Sequence, residues 1–243
     1  MRLFAAALLG LSLCAGVAAK DKRDKDEDMA TVEVDGLRNP QMKSYRAVWA
    51  GLDAFDSEHA LAPAVQQLRF RIGTKDDKYV TERDITLRIA SDDLNIPVPV
   101  TTEGSFVVPR SRAAFDASAD LIFNRRAGQY QVAPEVRTPG LPENMRRLGD
   151  LRLECKVAVA IVKEEIPGWI ALLANVFLGT TDWCMTTKGD VEFSYPTERP
   201  VTGAVLAYGD RRARLRLNGA DYKVPLADRS WPDEAMVLLE FAQ

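Results

Sequence analysis

Beyond residue 30 the chain runs mostly in short stretches where apolar and polar residues alternate one for one, separated by glycine, proline, asparagine and aspartate. Successive side chains of a strand point to opposite faces, so each stretch predicts a half-buried β-strand. Val32 and Val34 open the series and Asp35-Gly36 closes that first run. Leu68, Phe70 and Ile72, then Ile85, Leu87 and Ile89, repeat the pattern with arginine or threonine between. Pro97 and Pro99 confine the next extended run, 96–101, to a sheet edge, because proline donates no ladder hydrogen bond. Residues 121–123 and 130–132, joined by the polar turn 124–128, predict a hairpin. After residue 190 the grammar resumes at 191–195, 205–208 and 213–217, and Asn218-Gly219 is a strong turn signal leading into 222–224. The last run, 236–241, reads as a terminal strand, with 230–233 open to a helical turn before it.

Two stretches have helical spacing instead. Asn39-Pro40 reads as an N-cap followed by proline at the first helical position, and Tyr45, Val48, Trp49, Leu52 and Phe55 share one face, predicting a helix over 40–55. Ile166-Pro167 starts a second helix, with Trp169, Leu172, Leu173, Val176 and Phe177 as its stripe and Gly179 as its cap. Between them lies an ambiguous run. Leu151, Leu153, Cys155, Val157, Val159 and Ile161 fill six successive odd positions, which predicts a strand with Cys155 facing inward.

The apolar segment from 157 to 178 raises the question of a membrane span. A helix over 166–178 has 13 residues. That length covers about 20 Å against roughly 30 Å of hydrocarbon. Extending it back to Val157 would place Lys163, Glu164 and Glu165 in mid-membrane, at about 2.5–3.5 kcal/mol for a central charge. The alternative is an interfacial or partner-binding helix, although the lack of lysine and arginine argues against the usual membrane-surface type. The expectation is a helix buried in the core, and no transmembrane segment in the mature chain.

The N-terminus addresses location. Arg2, the apolar run 3–17 and the small residues Val17-Ala18-Ala19 fit a secretory signal peptide spanning 1–19. Cys14 suggests a lipoprotein signal, but bulky Leu13 stands where such signals carry a small residue. Cleavage leaves 243 − 19 = 224 residues, and the net charge of −3 becomes −4 with the loss of Arg2. Lys20 to Asp28 hold four positive and five negative charges with no apolar residue, so 20–30 reads as a disordered charged tether. Asp24, Asp26 and Asp28 alternate as in a calcium loop but lack its glycine and distal glutamate. Two prolines and a glycine in 137–147 mark the best boundary, giving a β-rich domain with one N-terminal helix over 31–137 and a second, with one buried helix, over 148–243. The exported chain keeps only Cys155 and Cys184, an even count in an oxidising compartment, and these are expected to pair.

The stretch TTEGSFVVP, residues 101–109, resembles the hairpin corner of transthyretin-like and carboxypeptidase-regulatory-like sandwiches, where a polar residue and glycine precede an aromatic-led strand. The resemblance implies a sandwich and assigns no functional residue. The fold expected is mostly β, a β-sandwich or open barrel with one or two helices, of α+β class and arranged as two packed β-rich halves.

Chemistry is limited by what the sequence lacks. His59 is the one histidine, and no G-x-S-x-G elbow, phosphate-binding loop or dinucleotide fingerprint occurs. The densest polar cluster is DAFDSEH, in which Asp53, Asp56 and His59 could divide acid, base and proton-shuttle roles. Asp92-Asp93 reads as a turn. Basic residues are scattered, and the run Arg211 to Arg216 alternates with apolar residues as the wet face of a strand, so nucleic acid is not expected. No cofactor and no metal site is indicated. The sequence points to an exported, periplasmic or extracellular, non-enzymatic binding or envelope-assembly module with a protein partner. The alternative is a carboxylate-dependent hydrolase of cell-envelope glycan.

Overall fold

In the structure, a computed structural model, the described residues are 40–74, 84–188, 192–197, 199–219 and 221–242. The expected signal peptide, the expected charged tether and the strand expected at Val32 and Val34 fall outside them. Among the described residues there are fourteen strands and four α-helices, and all the strand pairing is antiparallel.

The first half opens with β1 (Pro40–Ser44) and α1 (Tyr45–Ser57). Helix α1 carries the expected apolar face but starts five residues later than Asn39-Pro40 predicts. The reason is tertiary: Met42 and Lys43 pair with Ile122 and Leu121, and a strand partner outweighs the local cap signal. Next come β2 (Arg69–Thr74), β3 (Leu87–Ser91), β4 (Leu94–Val98), β5 (Ser105–Phe106), the short helix α2 (Arg112–Asp116), β6 (Asp120–Arg126) and β7 (Tyr130–Glu135). They form two sheets, ordered β1-β6-β3-β4 and β5-β2-β7. Pro97 lies in β4 on a sheet edge, as its missing N–H requires. The hairpin expected at 121–132 does not form: β6 pairs with β1 and β3, whereas β7 crosses to β2. Phe106 links the two sheets, stacking on Phe70 at 5.7 Å and meeting Phe123 edge-on at 6.3 Å. Tyr45, Val48, Leu52 and Phe55 of α1 complete this first core.

The second half begins with β8 (Met145–Arg147) and α3 (Leu148–Glu165), continues into α4 (Gly168–Leu178), and ends in β9 (Phe193–Tyr195), β10 (Val201–Tyr208), β11 (Arg211–Arg214), β12 (Leu217–Asn218), β13 (Asp221–Val224) and β14 (Met236–Phe241). These strands make the sheets β11-β10-β14-β8 and β12-β13-β9. The Asn218-Gly219 hairpin pairs Leu217 with Tyr222, and the terminal strand runs from Met236 to Phe241, both as the sequence predicts. Among the described residues no sheet closes into a barrel; the class is α+β, mostly β.

The largest departure is α3. The odd-position run 151–161 is a helix, not a strand. Its apolar residues form two stripes, each spaced by four: Leu151 and Cys155 face the second core, Leu153, Val157 and Ile161 the first. At 100° per residue these stripes lie on opposite sides of the helix. Offset by two in sequence, they reproduce the period of a strand. Gly51 of α1 lies where α3 passes closest: a Cβ added there would fall 2.8 Å from Cγ1 of Ile161. All the described residues belong to one compact unit, Leu37–Gln243, in which α3 is common to both cores.

Buried polar groups on α3 are matched. Asp150 accepts hydrogen bonds from the backbone N–H and hydroxyl of Thr138 at 2.6 and 2.9 Å. Arg152 donates to the carbonyls of Leu226, Asp228 and Trp231 and to Asp233 at 2.6 Å, tying the loop before β14 to the helix. Glu154 accepts from Arg146 and from the N–H of Val136, both at 2.9 Å, and burial holds its carboxyl above the usual carboxylate range despite those two partners.

Candidate functional site

Asp53 and Asp56 lie one turn apart on the outer face of α1, and both are exposed. The guanidinium of Arg110 bridges them, with one nitrogen 2.7 Å from Asp53 and the other 2.5 Å from Asp56. Burial would lower the pKa of Arg110, but the hydrogen bonds and charges of the two carboxylates outweigh it and raise that pKa. Arg110 also lies 4.9 Å above the ring of Trp49. His59, in the turn after α1, hydrogen-bonds the carbonyl of Val65 at 2.7 Å and packs on Phe55. The three residues are neighbours in sequence, but the carboxylates are engaged by an arginine and the imidazole by a backbone carbonyl, an arrangement that ties Arg110 and the turn to the helix end. None of the three lines the cavities beside β2 and β7 or the groove beside α3. Among the described residues, no group of three histidine, cysteine, aspartate or glutamate side chains is placed to hold a metal ion.

Helix α4 offers a different kind of site. Its apolar stripe exists where the spacing puts it, yet it points outward: Trp169 is 65% exposed, Leu172 62%, Leu173 59%, Val176 68% and Phe177 80%. Ala171, Ala174, Asn175 and Leu178 occupy the opposite, half-buried side. The expectation of a buried helix is therefore overturned. Helix α3 takes the interior position between the two cores, and α4 is left outside with its small side against the protein. A helix in this orientation is the reverse of an ordinary surface helix, which turns its apolar face inward.

The position of α4 is fixed all the same. Cys155 on α3 and Cys184 in the turn Trp183–Met185 form the expected disulfide, with 5.9 Å between their Cα atoms. The loop it closes, 29 residues apart in sequence, contains the whole of α4. A loop of that size corresponds to about 3–4 kcal/mol in the chain-entropy account. Within it, the indole N–H of Trp183 donates to Oδ1 of Asn175 at 2.7 Å, and the hydroxyl of Thr186 to the carbonyl of Leu178 at 3.0 Å. Lys163 donates to the carbonyl of Thr181 at 2.5 Å while its ammonium lies 4.9 Å from the Trp183 ring. Gly179 caps the helix at φ +68°, a conformation open to glycine and strained for other residues. Beside this base an apolar groove of about 330 Å³ is lined by Val159, Val162, Trp183 and Phe193. Among the described residues no helix is long and apolar enough to cross a membrane.

A third feature is polar. A cavity of about 430 Å³ lies between β2, the start of β5, the end of β7 and the loop 137–141, and Arg69, Arg71, Arg137, Glu103 and Glu135 line it. Arg71 and Glu135 pair at 3.4 Å. A smaller hollow of about 60 Å³ continues past Arg137 toward Arg146 and Tyr222. These residues come from separate strands and a loop, so no local motif announces them. The outward turn of α4 had a signal: eleven residues without a single charge, bounded by a proline and a glycine, describe an apolar helix with no wet face to show if its stripe were buried.

No family model matches the chain, and no curated protein or solved structure shows significant similarity to it.

Proposed function

We propose that the protein is an exported, non-enzymatic binding module of the cell envelope, and that α4 is the element it inserts into the apolar groove of a protein partner. The observation that carries this reading is the outward stripe Trp169, Leu172, Leu173, Val176 and Phe177. Its i, i+3, i+4, i+7, i+8 spacing is that of helix-in-groove recognition, with anchors spread over about 12 Å of helix. From the fractional exposures, the stripe presents on the order of 700 Å² of apolar surface, near the ~800 Å² per partner of a standard interface and above the ~300–600 Å² of a monomer's largest patch. The absence of lysine and arginine from α4 favours a protein groove over an anionic lipid surface. Export rests on the N-terminal signal pattern, with which the Cys155–Cys184 disulfide agrees.

The test is a photo-crosslinking residue placed at Val176 in the full chain, in cells. The expected product is one discrete hetero-adduct; the partner, once purified, should bind the wild-type chain and bind Leu173→Asp at least 30-fold more weakly, about 2 kcal/mol. An adduct with lipid, an adduct with a second copy, or equal affinity of the variant would overturn the reading.

A further inference from the structure

We infer that the arginine-lined cavity beside β2 and β7 binds a small zwitterion, an amino acid or short peptide, with its carboxylate on Arg137 and Arg69 and its ammonium toward Glu103. The inference is independent of α4 and stands on which charges in the wall are already used. Three arginines and two glutamates line the cavity, 3 − 2 = +1. Glu135 is taken up by Arg71 at 3.4 Å and by the Ser105 hydroxyl at 3.4 Å. What remains is an uncommitted set of both signs. Arg137 is half-buried, and among the described residues its side chain hydrogen-bonds to the carbonyl of Pro142 alone, at 2.6 Å, leaving most of its five N–H donors for a ligand. Among the described residues, Arg69 and Glu103 enter no ion pair or side-chain hydrogen bond.

A guanidinium in that state is costly. Burial, and then the charge of Arg146 beyond it, lower the pKa of Arg137. An anion seated on its free edge would relieve both effects and would receive the paired donors a carboxylate matches best. Glu103 at the exposed rim and Gln66 and Gln67 on the near wall supply acceptors for the other end of the ligand. The volume, about 430 Å³, lies in the range of small-ligand pockets. The mixed walls disfavour a simple dianion, which Glu103 and Glu135 would repel.

The experiment follows backbone amide shifts of the full, oxidised chain by NMR while L-alanyl-L-alanine is added, with its C-terminal amide and its N-acetyl derivative as comparisons. Saturable shifts confined to β2, the end of β7 and the loop 137–141 are expected, at least tenfold weaker for both blocked forms. Arg137→Gln and, separately, the exposed change Arg69→Gln should each weaken the dipeptide at least fivefold, the second guarding against a folding defect in the first. Absent shifts, shifts elsewhere, or equal binding of the blocked forms would overturn the assignment. None of these outcomes bears on the crosslinking result at α4, so the two proposals fail separately.

Discussion

Arginine is the residue that organises this molecule's polar contacts, and what each one touches sets its role. Arg152 spends its donors on three carbonyls and Asp233 and holds the loop before β14. Arg110 closes over Asp53 and Asp56, and Arg146 over Glu154. The Arg146–Glu154 pair has a pH signature. Burial raises the carboxyl of Glu154, so between about pH 4.3, where an unfolded glutamate titrates, and its folded value the native state holds a proton that the unfolded state has released. Over that window Glu154 makes stability fall as pH rises, by at most ~1.4 kcal/mol per unit. Glu154→Gln keeps an acceptor for Val136 and removes the titration. In urea unfolding from about pH 4 to 7, the stability of the wild type relative to this variant should decline with pH; a constant difference would refute it. At this scale the sequence offered Asp53, Asp56 and His59 as a local cluster, and they are local. The cavity charges Arg69, Glu103 and Arg137 are far apart along the chain and become neighbours only when β2, β5 and β7 pair, so spacing held no trace of them.

At the scale of elements, α3 explains both what was legible and what was misread. Strands buried on one face, such as β2, β3 and β14, show the alternation that gives them away. A helix buried on two opposite faces does not show a single stripe, and Leu151 to Ile161 took on a strand's period for that reason. Length was the overlooked clue: from Asp150 to Ile166 no glycine or proline interrupts the chain, longer than a typical strand of 5–6 residues. Because Leu153 faces the first core and Leu151 the second, the helix should couple them. Leu153→Ala is expected to cost about 2–5 kcal/mol. Fluorescence of Trp49, in the first half, and Trp231, in the second, should report one coincident urea transition in the variant as in the wild type. Separate midpoints would mean that the halves fold independently.

On the scale of the whole molecule, two packed cores are sealed around α3, two cysteines close a loop, and the most apolar helix is held outside. Helix α3 contributes to both cores, whereas the stripe of α4 faces outward. The same sequence features that suggested a core helix, its Trp169-led stripe and its lack of charge, suit an exposed helix whose burial is completed by another molecule. The most direct measurement is iodide quenching of Trp169 in the dilute, oxidised, isolated chain, taken as the difference between wild type and Trp169→Phe. An outward α4 predicts a solvent-type emission that iodide quenches fully and that shifts to the blue on binding the crosslinked partner. A component already blue and protected from iodide in the isolated chain would contradict it.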